Sequence, residues 1–371
     1  MTLVFLPDLW RAPQLLESLS LGPEICEAAQ LCDHALHRQT GALPLPVPQP
    51  GRNMPGVLLD LADSGRDRLA RLHAVFGAMP AQGLVRVAAR QQAAQVFVAP
   101  QGSEAPGPVT LPPEHDAIVT LACAELLALT QTHGIAALQA RWPMALSHAA
   151  SRRRGQGGPG PSLLRGDWTR ADIVPVRLSQ PYAWFFGVRE DDLQFRRFDG
   201  SFSEVVKRAG FVMSDAVTVL PYDPARDRVM LVEQFRYGPW LRGAENPWSL
   251  EPIAGRVDPF ERPEAAALRE AQEETGLTLT ADMLRAVGNV YPSPGAITEF
   301  LYQYVALCDL PDGAEGVSGL ASEAEDIRSH VVSFARLMEL VGSGEVQNGP
   351  LVLTAWWLAA HRAELRAGVR D

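Results

Sequence analysis

The chain has 371 residues, of which 47% are hydrophobic and 20% are charged, as is ordinary for a globular protein of two or three domains. Its formal net charge of -10 argues against a general nucleic-acid-binding protein, because a polyphosphate backbone needs a basic surface. A nucleotide substrate remains compatible with this charge, since a divalent cation can bridge carboxylates to phosphates.

The N-terminal segment "MTLVFLPDLWRAP" lacks a basic start, and Pro7 and Asp8 interrupt its apolar run. These features predict neither a signal peptide nor a membrane span, because both need a longer unbroken apolar stretch. We therefore expect a cytoplasmic protein with no membrane partner.

Residues 1–150 are predicted to form a small α+β domain. Short apolar runs indicate strands at residues 3–6, 56–61, 83–89 and 94–99, with a first helix at residues 12–22. Apolar residues spaced three and four apart predict two further helices, at residues 116–134 and 135–153.

The four cysteines form no CxxC pair, and their spacing favours reduced, mostly buried thiols over a disulfide framework; they are Cys26, Cys32, Cys123 and Cys308. A metal site is an alternative for the region around Cys32. Cys32, Asp33, His34 and His37 are potential ligands that lie close together in the sequence.

Residues 151–168 are rich in Gly, Pro and Arg and show little apolar periodicity, which predicts a linker. The remainder, residues 169–371, is predicted to be a second domain in which strands dominate. The predicted strands lie at residues 182–198, 215–223, 228–238, 284–291 and 299–310, and two helices follow near the end. The turn signal "YDPARDR" predicts a hairpin, and a mixed sheet covered by helices is the expected packing.

An acidic helix carries the strongest chemical signal. Glu270, Glu273 and Glu274 are three and four residues apart, so their carboxylates converge on one side of a helix and repel each other. Arg269 precedes Glu273 by four residues and can orient it. Converging carboxylates make a hard oxygen site suited to Mg²⁺ or Mn²⁺. The alternative is a solvated acidic helix face.

The spacing around this helix resembles the Nudix box: Gly, five residues, Glu, seven residues, and then Arg-Glu-apolar-x-Glu-Glu-x-Gly-apolar. The matching positions are Gly255, Glu261, Arg269, Glu270, Ala271, Glu273, Glu274, Gly276 and Leu277. The resemblance implies a hydrolase that cleaves a nucleoside diphosphate linked to another moiety. It also implies the Nudix fold, an α/β/α sandwich with a mixed sheet.

Flanking segments narrow the resemblance to the ADP-ribose pyrophosphatase branch. They are "VEQFRYG", "ENPWSLEPIAG", "YPSPGAITE", "GLASEAEDI" and "GEVQNGPLVLTAWWLA", and the resemblance runs from Tyr182 to Leu358. It implies Mg²⁺-dependent hydrolysis of ADP-ribose to AMP and ribose 5-phosphate. The chain departs from the branch in two places. Ala296 stands where the branch often has glycine, and "EPIAG" swaps the order of the more usual "IPAG".

The same resemblance implies roles for residues near the box. The main-chain carbonyl of Ala254, with Glu270 and Glu274, would bind metal ions, and Glu273 would be a third carboxylate. Glu323 in an acidic loop would position or deprotonate water, assisted by Glu325, so that the catalytic set is Glu323, Glu325, Glu274 and Glu273. The alternative for this segment is a solvated acidic loop without a catalytic role.

Substrate contacts follow from the resemblance too. Arg236, Ser293 and Arg208 would contact the nucleotide sugar, and Glu299 would accept hydrogen bonds from its terminal ribose. The branch usually dimerises through N-terminal strands of the Nudix domain, and Phe185 of one chain would stack on the adenine bound by the partner. The alternative for Phe185 is a core position, which is more common for an aromatic residue in a strand. We therefore expect a homodimer.

Residues 1–150 resemble a degenerate gamma-glutamylcyclotransferase-like fold. That family places a substrate-binding Tyr-Gly-Ser/Thr-Leu loop after its first strand, and this chain has Leu6-Pro7-Asp8-Leu9 there. Phe76 stands where the family has its catalytic acid. The resemblance implies a non-catalytic domain, in a layout similar to Nudix proteins associated with tellurite resistance.

Other functions are also compatible with these motifs. The substrate could be a different nucleoside diphosphate sugar or a dinucleotide such as NADH. A ligand sensor that binds ADP-ribose without cleaving it is disfavoured, because such sensors tend to lose box carboxylates and this box is intact.

Overall fold

The computed structural model describes residues 2–21, 26–100, 112–157, 162–319 and 325–368. The chain divides into two units, residues 1–206 and residues 207–371. The predicted boundaries at residues 150 and 168 remain a prediction, although a helix continues past the first of them to Gly155.

The first unit contains a closed five-stranded barrel with the strand order β1-β3-β2-β4-β5. Its strands are β1 (Thr2–Pro7), β2 (Glu27–His37), β3 (Leu45–Leu61), β4 (Met79–Val87) and β5 (Arg90–Val98). Phe5, Leu31, Val85 and Val96 are fully buried and form part of its core. A Cβ atom at Gly56 would lie 2.2 Å from the Leu6 carbonyl oxygen, so glycine permits the close approach of β3 to β1.

Among the described residues, four α-helices accompany the barrel: α1 (Pro13–Ser18), α2 (Asp63–Val75), α3 (Pro113–Leu129) and α4 (Ile135–Gly155). The predicted strands and helices of this region are therefore present. Sequence patterns missed β2 and α2, because β2 lacks a clean apolar alternation and α2 is largely polar. All four cysteines are free.

The first unit also contains a hairpin of β6 (Ile173–Ala183) and β7 (Gly187–Phe195). The two strands pair in antiparallel fashion, from Ile173 opposite Phe195 to Ala183 opposite Gly187. The single strand predicted for residues 182–198 is thus wrong in one respect, since a turn at residues 184–186 interrupts it.

The second unit is built on an eight-stranded mixed sheet with the order β13-β14-β9-β10-β16-β15, in which β11 pairs with β10 and β12 pairs with β9. The strands are β9 (Ala216–Asp223), β10 (Arg228–Phe235), β11 (Trp248–Glu251), β12 (Ile253–Arg256), β13 (Leu284–Val290), β14 (Leu301–Leu307), β15 (Val317–Ser318) and β16 (Ile327–Ser333). β9 runs parallel to β14 and antiparallel to β10 and β12. A further strand, β8 (Val206–Val212), begins at the division between the units.

Helices cover both faces of this sheet, and a short helix, α5 (Tyr237–Arg242), follows β10. Alternate residues of β9 point to opposite faces, so Val217 and Val219 pack with α6 (Pro263–Thr275). Leu220 and Tyr222 pack with α7 (Phe334–Ser343) and α8 (Gly349–Ala367). The helix-sheet-helix layering agrees with an α/β/α sandwich, and the predicted β9–β10 hairpin is confirmed. In the part of the chain that the structure describes, no helix is both long and apolar enough to cross a membrane.

Candidate active site

The candidate site forms where β12 meets α6. Pro263 occupies the first turn of α6 and Gly276 ends the helix in the left-handed conformation, with φ of 72°. At Gly255, an added Cβ atom would lie 1.9 Å from the carboxyl carbon of Glu270. The glycine of the box is therefore needed because the Glu270 carboxylate occupies the space of a side chain.

Arg269 links the carboxylates of this site. Its Nη1 donates to Glu270 Oε1 at 2.7 Å and to Glu273 Oε2 at 2.9 Å. Its Nε and Nη2 donate to the two oxygens of Glu261 at 3.2 and 3.0 Å, and Nη2 also donates to the Arg256 carbonyl at 3.0 Å. The predicted pairing of Arg269 with Glu273 is present, and one guanidinium fixes three carboxylates to the end of β12.

Two carboxyl groups at this site are unfavourably placed as anions. Burial raises the pKa of Glu270 to about 7, although the charge of Arg269 opposes it. Burial and the charge of Glu270 raise the pKa of Glu274 to about 8, against a hydrogen bond that Glu274 Oε2 accepts from the Ala254 amide at 3.3 Å. A cation beside them would reverse both effects, because an opposite charge favours the ionised form.

The donor chemistry of this region fits a hard divalent cation, since it offers carboxylates and main-chain carbonyls. Glu274 is 2% exposed, and Ala254 lines the adjoining cavity. Across the described residues, however, no three His, Cys, Asp or Glu side chains are grouped closely enough to hold a metal ion without rearrangement. In this conformation Arg269 engages Glu270 and Glu273 instead.

A cavity of about 380 Å³ lies next to the box and is lined in part by Arg236, Glu251, Gly255 and Glu299. Arg236 makes a two-pronged contact with Glu251, at 3.0 Å from Nε and 2.6 Å from Nη2. Burial alone would lower the pKa of Arg236, but the contacts with Glu251 raise it. Burial also raises the pKa of Glu299. The cavity thus presents a fixed cation and a weakly acidic carboxyl group to a ligand.

Other predicted substrate residues lie on neighbouring segments. The Ser293 carbonyl accepts hydrogen bonds from Ala296 at 3.0 Å and Ile297 at 3.1 Å, which closes a tight turn. That turn joins β8 through a bridge between Phe211 and Ile297, and Arg208 is an exposed residue on β8.

Three predicted site residues remain, namely Glu325, Glu323 and Phe185. Glu325 is close enough for its charge to raise the pKa of both Glu270 and Glu274. Glu323 lies outside the described residues. Phe185 lies in the β6–β7 turn, is 51% exposed and packs edge-on against Phe186 at 4.8 Å, so it is not a core residue.

Sequence reasoning assigned no role to several residues that line the cavity, among them Glu251, Arg256 and Asn348. Glu251 anchors Arg236, and Asn348 caps α8 by accepting a hydrogen bond from the Leu351 amide at 2.9 Å. The only signal in the sequence was their position inside the segments that resemble the ADP-ribose pyrophosphatase branch.

Comparison with known proteins finds similarity over the C-terminal part of the chain. The sequence pattern of the NUDIX domain matches residues 213–352. An ADP-ribose pyrophosphatase of Haemophilus influenzae is 36% identical over 201 residues, which cover 54% of this chain and 91% of that protein. An ADP-ribose pyrophosphatase of Escherichia coli strain K12 is 34% identical over 206 residues, which cover 56% of this chain and 97% of that protein.

Two further similarities are weaker. A GDP-mannose pyrophosphatase of Salmonella arizonae is 34% identical over 147 residues, which cover 40% of this chain and 74% of that protein. A solved structure described as an ADP compounds hydrolase has 19% identity and covers 51% of this chain and 96% of that chain. Its TM-score of 0.39 is too low to support a statement about the fold.

Proposed function

The chain belongs to the NUDIX family, and on this premise we propose that it hydrolyses the pyrophosphate bond of ADP-ribose to AMP and ribose 5-phosphate. One observation carries the proposal: the Glu270 carboxyl occupies the space beside Gly255, and the buried Glu274 carboxyl accepts a hydrogen bond from the Ala254 amide, at the edge of a cavity that contains Arg236. Relatives named ADP-ribose pyrophosphatase match over nearly their whole length, and their name is the reason for proposing ADP-ribose as the substrate.

Nudix hydrolases generally use divalent metal ions, usually Mg²⁺. Here Glu270, Glu274 and the Ala254 carbonyl would hold the ion, with Glu273 as a third carboxylate, and Mn²⁺ would suit the same oxygen ligands. When bound, the cation would neutralise negative charge on the pyrophosphate and make water more acidic.

The chain's own residues have separate tasks in this proposal. Arg269 holds the carboxylates in place, and Arg236, fixed by Glu251, would contact the substrate phosphates. Glu299 would accept hydrogen bonds from the terminal ribose. Glu323 would position or deprotonate the water that attacks the adenosyl phosphorus, with Glu325 assisting.

The test is hydrolysis of ADP-ribose by the full chain with Mg²⁺, with products separated by ion-exchange chromatography. We expect equal amounts of AMP and ribose 5-phosphate, and in ¹⁸O-labelled water we expect the label in AMP. A chelator should stop the reaction, and no AMP from the wild-type protein at any Mg²⁺ or Mn²⁺ concentration would contradict the proposal.

A second candidate substrate is GDP-mannose, because a GDP-mannose pyrophosphatase also matches this chain. A panel of ADP-ribose, GDP-mannose and NADH, ranked by kcat/KM, separates the candidates. Tight binding of ADP-ribose without any cleavage would instead identify a sensor.

We further propose that the N-terminal region is a non-catalytic gamma-glutamylcyclotransferase-like domain. Phe76, at the position of the family's catalytic acid, packs edge-on against Trp142 at 4.8 Å, which supports a packing role. Measurable cyclotransferase activity on gamma-glutamyl peptides would overturn this. The cytoplasmic location and the link to tellurite resistance remain predictions.

A further inference from the structure

A buried ion pair joins the two long helices of the first unit. Arg141 on α4 is 1% exposed, and its Nε and Nη2 donate to Glu125 Oε1 on α3 at 3.1 and 2.7 Å. The same Nη2 lies 2.9 Å from His148 Nδ1, which must accept the hydrogen bond because a guanidinium has no acceptor.

The contacts of this pair extend to the β6–β7 hairpin. Arg141 Nη1 donates to the main-chain carbonyl of Trp184, the first residue of the turn. Glu125 Oε1 also accepts a hydrogen bond from Gln180 Nε2 on β6 at 3.4 Å. A hydrogen bond from the Trp184 amide to the Phe186 carbonyl, at 2.9 Å, closes the turn itself.

Burying the guanidinium of Arg141 has an energetic cost. A buried guanidinium is costly unless its donors are satisfied, and an unpaired one would destabilise the fold. Arg141 directs one donor at a turn whose side chains are not in the core, since Trp184 is 54% exposed and Phe185 is 51% exposed. Both aromatic residues stay about half exposed although their turn is held in place, so burial alone does not account for the fixed position.

We propose that Arg141 is a positioning residue, through which helices α3 and α4 hold the β6–β7 turn so that Phe185 is presented to a nucleotide base. This inference rests on the proposed function, in which Phe185 stacks on the adenine held by the partner chain. A turn that is ordered before the substrate arrives loses less entropy on binding. The N-terminal domain then contributes to substrate affinity without touching the substrate.

The experiment replaces the pair by apolar residues in the double variant Arg141→Met/Glu125→Leu, because a single change would leave one charge buried alone. The matched control, Arg38→Gln/Asp116→Asn, removes another ion pair of the same unit, which joins the end of β2 to α3 at 2.5 Å. Each full-length variant is assayed with ADP-ribose beside the wild type. Amide hydrogen exchange of residues 182–187 is measured in parallel.

For the Arg141→Met/Glu125→Leu variant we expect faster exchange of the turn amides and a KM for ADP-ribose raised about tenfold, as for loss of one base-stacking contact, with kcat within about twofold of the wild type. The control variant should change neither quantity. Should the double variant fail to fold, Arg141→Lys keeps the charge but not the fork of donors, and it should shift exchange and KM in the same direction by less.

The inference would be overturned by turn exchange that stays at the wild-type rate, or by a faster-exchanging turn with an unchanged KM. A fall in kcat equal to the rise in KM would indicate general damage and would also count against it. Failure of the proposed function is distinguishable, because the wild-type protein would then release no AMP from ADP-ribose.

Discussion

Single residues of the box matter for their size as much as for their charge. Gly255 has an ordinary backbone conformation, so φ does not demand glycine there. Glycine is needed because a Cβ atom would lie 1.9 Å from the Glu270 carboxyl carbon. Burial raises the pKa values of the Glu270 and Glu274 carboxyls to about 7 and about 8, and a cation beside them would lower both values.

We expect Gly255→Ala to lower kcat by about 10²-fold or more, because the added methyl group must displace the Glu270 carboxylate from its site. Steady-state kinetics with ADP-ribose measure this effect. Gly342→Ala is the control, since nothing lies within 4 Å of a Cβ atom there and the site is on α7. Equal activity of both variants would show that Glu270 tolerates displacement.

We expect Glu270→Gln and Glu274→Gln to reduce turnover by about 10²-fold or more, because an amide cannot supply the negative charge that a cation requires. Without added metal, the thermal midpoint should change little, since glutamine resembles the protonated carboxyl. Glu264→Gln on the first turn of the same helix should remain active. Full activity in either box variant would refute the assigned metal role.

For Glu323→Gln we expect kcat to fall by about 10²-fold, as for loss of a general base, with the affinity for metal retained. Titration with Mg²⁺ during the assay separates the two quantities. An unchanged kcat would place the base elsewhere, and Glu325→Gln is then the next variant to compare.

At the scale of elements, the β9–β10 hairpin is tied to α8 by Asp227 in its turn. Arg362 donates two hydrogen bonds to Asp227, one of them from Nε at 2.7 Å, and the Tyr222 hydroxyl donates another at 2.9 Å. These contacts, led by the hydrogen bonds from Arg362, lower the pKa of Asp227 to about 2. The turn therefore fixes where the sheet and its covering helix meet.

Asp227→Asn tests this link, because asparagine tolerates the positive φ of 58° at this position. The change removes the charge and replaces one accepting oxygen by an amide NH₂ donor. Since the folded pKa lies below the unfolded value of about 3.9, the charge stabilises the fold above about pH 4, and this stabilisation is lost as pH falls toward about 2. We expect the free energy of unfolding at pH 7 to fall by about 1–2 kcal/mol.

Urea unfolding at several pH values measures the difference between wild type and Asp227→Asn, which should shrink below about pH 4. Glu339→Gln removes an exposed ion pair with Arg336 and should cost less than about 0.5 kcal/mol. A difference that is constant down to the lowest pH at which the protein stays folded would contradict the assigned charge effect.

At the scale of the whole molecule, the proposed homodimer determines whether Phe185 can reach a substrate. Light scattering should give about twice the chain mass of 40.3 kDa. Phe185→Ala should raise the KM for ADP-ribose about tenfold, because stacking on a base is lost, and kcat should change little. The control is Phe198→Ala, which removes a residue of the same unit that is 94% exposed. A fully active monomer would contradict this proposal.

The sequence by itself determined the arrangement of the box side chains along one helix and most local elements. Glu270, Glu273 and Glu274 share a helix face because positions three and four apart always do, and Arg269 reaches Glu273 for the same reason. The hairpin at "YDPARDR" and both terminal helices were likewise encoded by short-range patterns. Resemblance to the family then supplied roles that no local pattern can give.

Only the tertiary structure decided which distant segments meet. The close approach of Glu270 to Gly255, the anchoring of Arg236 by Glu251, and the contact of Arg141 with the Trp184 carbonyl all join residues that lie 15 to 43 positions apart. Such pairs depend on sheet register and on how helices pack, and the sequence patterns that predict single elements contain neither.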